Sequence, residues 1–208
     1  DLTDPSSALY AAVEDLLNQA QTAQSDSEFA SDLARAQEYL DNSQYDQCAA
    51  MLDTLDADDT LTEDQKSQVA DLREQLTEAQ ESAQRQEESQ QQQSEQKQTF
   101  SDRIDKLEEN DLQIASAATT EDELALTASS FEQWDSLLMD MCDYLSTILN
   151  ADQYASEEAS FQQWVEERDS GAENAAEGAS DDTAAQLASY SFRQSYTKAR
   201  CYRLLDMM

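Results

Sequence analysis

Apolar and small residues along this chain recur at three- and four-residue steps almost throughout, the pattern of amphipathic helices and not of alternating strands. Leu9, Val13, Leu16, Leu17 and Ala20 share one face of a first predicted helix over about 6 to 24, entered after Pro5, whose fixed φ suits a helix start. Phe29, Leu33, Ala36 and Leu40 predict a second helix over about 27 to 41. A DNS turn at 41 to 43 then leads into a third, carrying Tyr45, Cys48, Ala49, Leu52 and Leu55.

From Val69 the same steps run through Leu72, Leu76, Ala79 and Ala83, pass Gln86, Gln90, Gln93 and Lys97, and land on Phe100, Ile104 and Leu107. The phase survives the polar tract QEESQQQQSEQKQ, which predicts one helix over about 62 to 109 with its middle exposed all round. A flexible glutamine-rich linker is the competing reading. Gln, Glu and Lys form helices well and no Gly or Pro interrupts, so the helix is preferred. Just upstream, DADDTLTED alternates Asp56, Asp58, Thr60, Thr62 and Asp64 as a calcium loop would. Leu61 stands where that loop needs glycine and Ser67 where it needs a bidentate glutamate. Capping by Thr62 or Thr60 accounts for the segment better.

A Thr120 to Glu123 capping box opens the next predicted helix, whose stripe is Leu124, Phe131, Trp134, Leu138, Met141, Leu145 and Ile148. Another covers about 154 to 169, where Phe161, Trp164 and Arg168 fall at i, i+3 and i+7, so that Arg168 lies over the Trp164 ring. Residues 170 to 183 hold both glycines and are expected as a loop, with a helical start as the variant reading. A last helix over about 184 to 205 turns Leu187, Tyr190, Thr197, Cys201 and Leu204 inward. SFEQW and SFQQW, 30 positions apart, read as aromatic knobs of the core. The predicted fold is therefore all-α: an N-terminal region of helical hairpins (1–85), a Gln-rich mid-helix segment (86–99) and a C-terminal antiparallel helical bundle (100–208).

Charge narrows the function. Acidic residues number 46 against 12 basic, a net charge of −34, so nucleic acid is excluded as a partner; a solvated surface that confers solubility is the first reading of these acids, and a basic protein partner the other. There is no histidine, and the three cysteines at 48, 142 and 201 form no CxxC pair. Histidine-dependent catalysis and the common zinc sets are thereby removed. The chain is expected to be non-catalytic, with no metal and no cofactor. No apolar run approaches the ~20 residues of a membrane span. The sequence opens DLTDPSS with no initiator Met, so an upstream segment is expected, with room for a secretion signal or lipid anchor. Cys142 and Cys201 form a disulfide if the protein is exported, closing a loop worth about 4 kcal/mol; otherwise they are two small buried hydrophobes. Arg193, Lys198, Arg200 and Arg203 crowd into the last helix and are expected to neutralise neighbouring acids, Arg200 specifically pairing with Asp169.

Trp164-Val-Glu-Glu-Arg168-Asp169, followed by Thr197-Lys-Ala-Arg200 and Leu204, resembles the W-x-x-x-R-D and T-x-x-R-x-x-x-L signature of the lysozyme inhibitor LprI-like domain. Asp135, Leu138, Leu145 and Leu149 sit where that family has a further helix, and the resemblance spans about 125 to 206. Family members usually carry a cysteine shortly after the Arg-Asp pair and another before the Thr-x-x-Arg segment, which this chain lacks. Met139 also replaces an asparagine. The resemblance implies an exported, extracytoplasmic binding protein, at the bacterial cell surface or membrane-anchored, that occludes a basic lysozyme. The six signature residues themselves read as a structural clasp. The alternative function is a helical scaffold that docks partner proteins along its grooves without inhibiting an enzyme.

Overall fold

The computed structural model describes residues 8–208, which form six α-helices and no strand. These are α1 (Ala8–Asp41), α2 (Tyr45–Asp56), α3 (Glu63–Asp111), α4 (Thr120–Ile148), α5 (Ala151–Ala176) and α6 (Asp182–Met207), with one 3-10 turn at Ile114–Ser116. The expected start at Pro5 lies outside the described residues. No described helix is long and apolar enough to cross a membrane. By its internal contacts the chain divides into two compact units, the first ending at Ser89 and the second running Gln90–Met208.

In the first unit Phe29 and Ala36 of α1, Cys48, Leu52 and Leu55 of α2, and Val69, Leu72 and Leu76 of α3 close a core with Leu61. The two helices expected before residue 41 are one. The segment between them has no Gly or Pro, and Gln24 Nε2 donates to Glu28 Oε1 at 2.9 Å across the expected break, an i,i+4 bond that favours continuity. The chain reverses after Asp41 with Ser43 in the left-handed region at φ 58°. Thr62 caps α3 reciprocally: its hydroxyl accepts from Gln65 N at 3.3 Å, and its own N–H donates to Gln65 Oε1 at 2.9 Å. The acids upstream act in turns and pairs, with Asp58 accepting from Thr60 N and Asp56 and Asp53 facing Arg73. The glutamine-rich tract is helical as predicted. Gln84 to Glu88 (2.8 Å) and Gln91 to Glu95 (2.8 Å) hold it by side-chain bonds one turn apart, and Gln98 to Asp102 (2.7 Å) continues the series to the buried Phe100.

In the second unit Phe100 and Ile104 of α3 join Trp134, Leu137, Leu138, Met141 and Leu145 of α4, Trp164 of α5, and Cys201 and Leu204 of α6. Helix α6 packs against both α4 and α5. The cap of α4 is Thr119, one residue before the expected position: its backbone is extended, and its hydroxyl accepts from Asp122 N at 3.1 Å. Asn150 and Gln153 form a capping box on α5, and Asp181 accepts from Ala184 N at 2.9 Å to start α6.

Helix α5 runs on to Ala176, so the first half of the stretch expected to be a loop is helical and the turn is confined to the residues after it. Gly171 is helical, and a Cβ there would lie 2.3 Å from the Phe192 ring of α6. This glycine serves close helix approach, and its neighbour Gly178, at φ +81°, supplies the turn.

Candidate functional site

Trp164 is the hub of the α5–α6 contact. Its ring stacks on Tyr196 at 5.7 Å and on Phe161 at 5.5 Å, and Tyr196 stacks in turn on Phe192 at 5.5 Å. Arg168 lies over Trp164 at 5.0 Å, as the i, i+4 spacing predicts, and Arg200 at 5.8 Å. Arg168 also donates to Asp135 of α4 at 2.8 Å and to Asp169 at 3.2 Å, so one guanidinium ties α5 to α4.

The predicted Arg200–Asp169 pair does not form. Asp169 faces Arg168 and Arg193, the latter at 3.6 Å, an ionic contact too long for a hydrogen bond. Arg200 instead reaches Glu157, and donates to Ser160 at 3.3 Å; Arg203 shares Glu157 at 3.1 Å. The reason is the antiparallel register. Asp169 is level with Arg193, Glu167 with Tyr196 (2.8 Å), and Ser160 and Glu157 with Arg200 and Arg203. Asp169 therefore lies nine residues from Ser160, roughly 13 Å of helical rise from the Arg200 level. Glu157 had a signal in the sequence, because it stands seven residues before Trp164 on the same stripe.

Thr197 and Leu204 are fully buried. Leu204 belongs to the core, while the Thr197 hydroxyl and Arg200 Nε find no hydrogen-bond partner among the described residues. All four basic residues singled out on α6 face acids, Lys198 through Glu108 at 2.8 Å.

A second polar network escaped the sequence pattern. Asp111, at the end of α3, accepts from Trp134 Nε1 at 3.1 Å, from Gln194 at 2.8 Å and from Ser130, and Lys198 lies 5.2 Å from the Trp134 ring. Tyr202 donates to Glu108 at 2.6 Å. These acids belong to a polar helix end, which looks like any solvated terminus until α4 and α6 close over it.

Cys142 and Cys201 are free thiols, as in the alternative to the disulfide that export would allow. Cys201 is fully buried in the core, with Sγ 3.7 Å from the Trp134 carbonyl, and Cys142 is half-buried beside a cavity. Burial pushes the Cys142 thiol from an ordinary 9.0 up to about 11 and the Cys201 thiol up to about 12. Burial and the Glu108 carboxylate push the Tyr202 phenol from 10.0 up to about 12. All three hold their protons more tightly folded than unfolded. Their contribution to stability is thus complete below pH 9.0 and is lost as pH rises through the folded values of about 11 to about 12. Melting temperature should fall across that window, and Tyr202→Phe with Cys201→Ala should flatten the fall. An unchanged slope in the double variant refutes the assignment.

An apolar recess of this unit lies between α4 and the start of α5. It is a cavity of about 190 Å³ lined by Met139, Leu149, Tyr154 and Phe161 together with Cys142, Asp143 and Glu158. Met139 and Tyr154 are exposed. Among the described residues no group of three Cys, Asp or Glu is placed to hold a metal ion.

Fold and clasp together define an acidic all-α protein with a C-terminal antiparallel helical bundle locked by cation–aromatic and ionic contacts. No known family, curated protein or solved structure matches the chain.

Proposed function

We propose that this is an exported, extracytoplasmic, non-catalytic binding protein for a basic polypeptide, with a lysozyme as the first candidate, and that the α4–α5 recess is the docking point. The observation that carries this reading is the recess itself on a chain of net charge −34. Exposed Met139 and Tyr154 beside Asp143 and Glu158 suit an apolar side chain flanked by cations. Glu157 is already engaged by Arg200 and Arg203, which leaves Asp143 and Glu158 to face a partner. The motif resemblance to lysozyme-inhibitor domains supports the choice of partner. In that role the protein would occlude the substrate cleft, and acidity would accelerate encounter.

Titration of a basic lysozyme at low and moderate ionic strength, with binding and lytic activity followed together, tests the proposal. Binding should inhibit lysis and weaken with salt, and Tyr154→Ala should raise Kd roughly tenfold. Binding without inhibition would reduce the effect to charge attraction, and no binding at low salt would reject the lysozyme.

A further inference from the structure

The N-terminal half of α1 carries an apolar stripe that stays exposed among the described residues. Leu9 is 62% exposed, Val13 44%, Leu16 64% and Leu17 57%, whereas Phe29 and Ala36 further along the same helix are buried in the core. Four aliphatic side chains in such a row on a chain this polar form a surface that removal from water would stabilise.

The order of residues says what covers it. Leu9, Val13, Leu16, Ala20 and Ala23 are spaced four, three, four and three apart, the seam of a coiled coil, with Leu9 and Leu16 at d and Val13 at a. A β-branched residue at a with leucine at d favours two parallel strands. The positions that flank the seam are Tyr10, Ala12, Leu17, Gln19 and Gln24, all uncharged, while the nearby acids Glu14 and Asp15 fall on the outer face. Two copies therefore meet here without opposing carboxylates, although the whole chain carries −34. A membrane surface fits poorly, since residues 8–34 contain no Lys or Arg to accompany the apolar face. A basic partner fits poorly as well, because the flanks offer it no charge.

We infer that residues 9–24 of α1 form a self-association seam through which two copies of this chain pair as a parallel two-stranded coiled coil. The seam is under three heptads, shorter than a free-standing coiled coil needs. Packing of the C-terminal half of α1 in its own unit orders the helix beforehand and lowers the entropy of pairing. The buried area falls at the low end for specific interfaces, about 1,200 Å² or less, so a micromolar dimer is expected.

Sedimentation equilibrium of the full chain, from about 5 to 200 µM at low and high salt, provides the test. Mass should climb from 23.3 kDa towards twice that value, further at high salt, because screening relieves the repulsion between two acidic chains. Leu16→Glu should hold the chain monomeric, and a mixture of Leu16→Glu with Leu16→Lys should associate again. Leu16→Ala, which preserves helix propensity, should raise Kd roughly tenfold. A monomer at every concentration overturns the inference, as does association that Leu16→Glu leaves intact, that salt weakens, or that proceeds beyond two chains. Lysozyme binding is expected to weaken with salt, so failure of one proposal is distinguishable from failure of the other.

Discussion

Replacing Glu157 with alanine should destabilise the C-terminal unit by about 3–5 kcal/mol, because the change strands a buried cation. The Arg200 side chain is only 2% exposed, and Glu157, at 13%, is its carboxylate partner. Burial already pulls the Arg200 guanidinium below its ordinary range, and the Glu157 charge is the foremost influence raising it back. Arg203 shares the carboxylate but is 54% exposed, so it adds little and water compensates it on loss. The experiment is urea unfolding followed by tryptophan fluorescence, which reports this unit alone since both tryptophans, Trp134 and Trp164, lie within it. Glu157→Ala combined with Arg200→Met should recover most of the loss, for a buried pair replaced by apolar bulk is commonly neutral. A single-variant loss under 1 kcal/mol would mean that Arg200 finds water or another acid.

Trp134→Ala should cost a similar amount, about 3–5 kcal/mol, by a different route. Trp134 is the largest fully buried side chain and sits at the centre of the second core, so truncation leaves a cavity in a well-packed layer. It also removes the indole N–H that Asp111 accepts and the ring beside Lys198. Trp134→Phe separates the two contributions: it keeps most of the volume and should lose only about 1–2 kcal/mol. Trp164 remains as the fluorescent reporter in both variants. Equal losses for Ala and Phe would show that the polar contact, and not the packing, dominates at this position.

The elements most legible from the sequence were those in which local and global preferences agree. Helix α3 follows from an unbroken phase of three- and four-residue steps, good helix formers and no breaker. The Arg168–Trp164 stack follows from spacing within one helix, where 3.6 residues per turn sets the geometry. The ion pairing of Arg193, Lys198, Arg200 and Arg203 follows in kind from their scarcity among acids. Boundaries were less legible. Helix α1 passes through QSDS, which propensity alone marks as a break, and α5 passes through Gly171, which the sequence cannot tell from a turn glycine such as Gly178.

By itself the sequence determined that the chain is all helix, which faces are apolar, and that its surface is acidic, because these depend on residues within a few turns of one another. Only the tertiary structure decided which acid meets which cation. A helical stripe specifies a face but leaves the axial offset of two packed helices free, and one turn of slip changes every partner. Here the offset goes with the close approach of Gly171 to Phe192, level with Asp169 and Arg193. That register carries Arg200 away from Asp169 and onto Glu157. It leaves Cys201 facing the Trp134 carbonyl as a free thiol in the core.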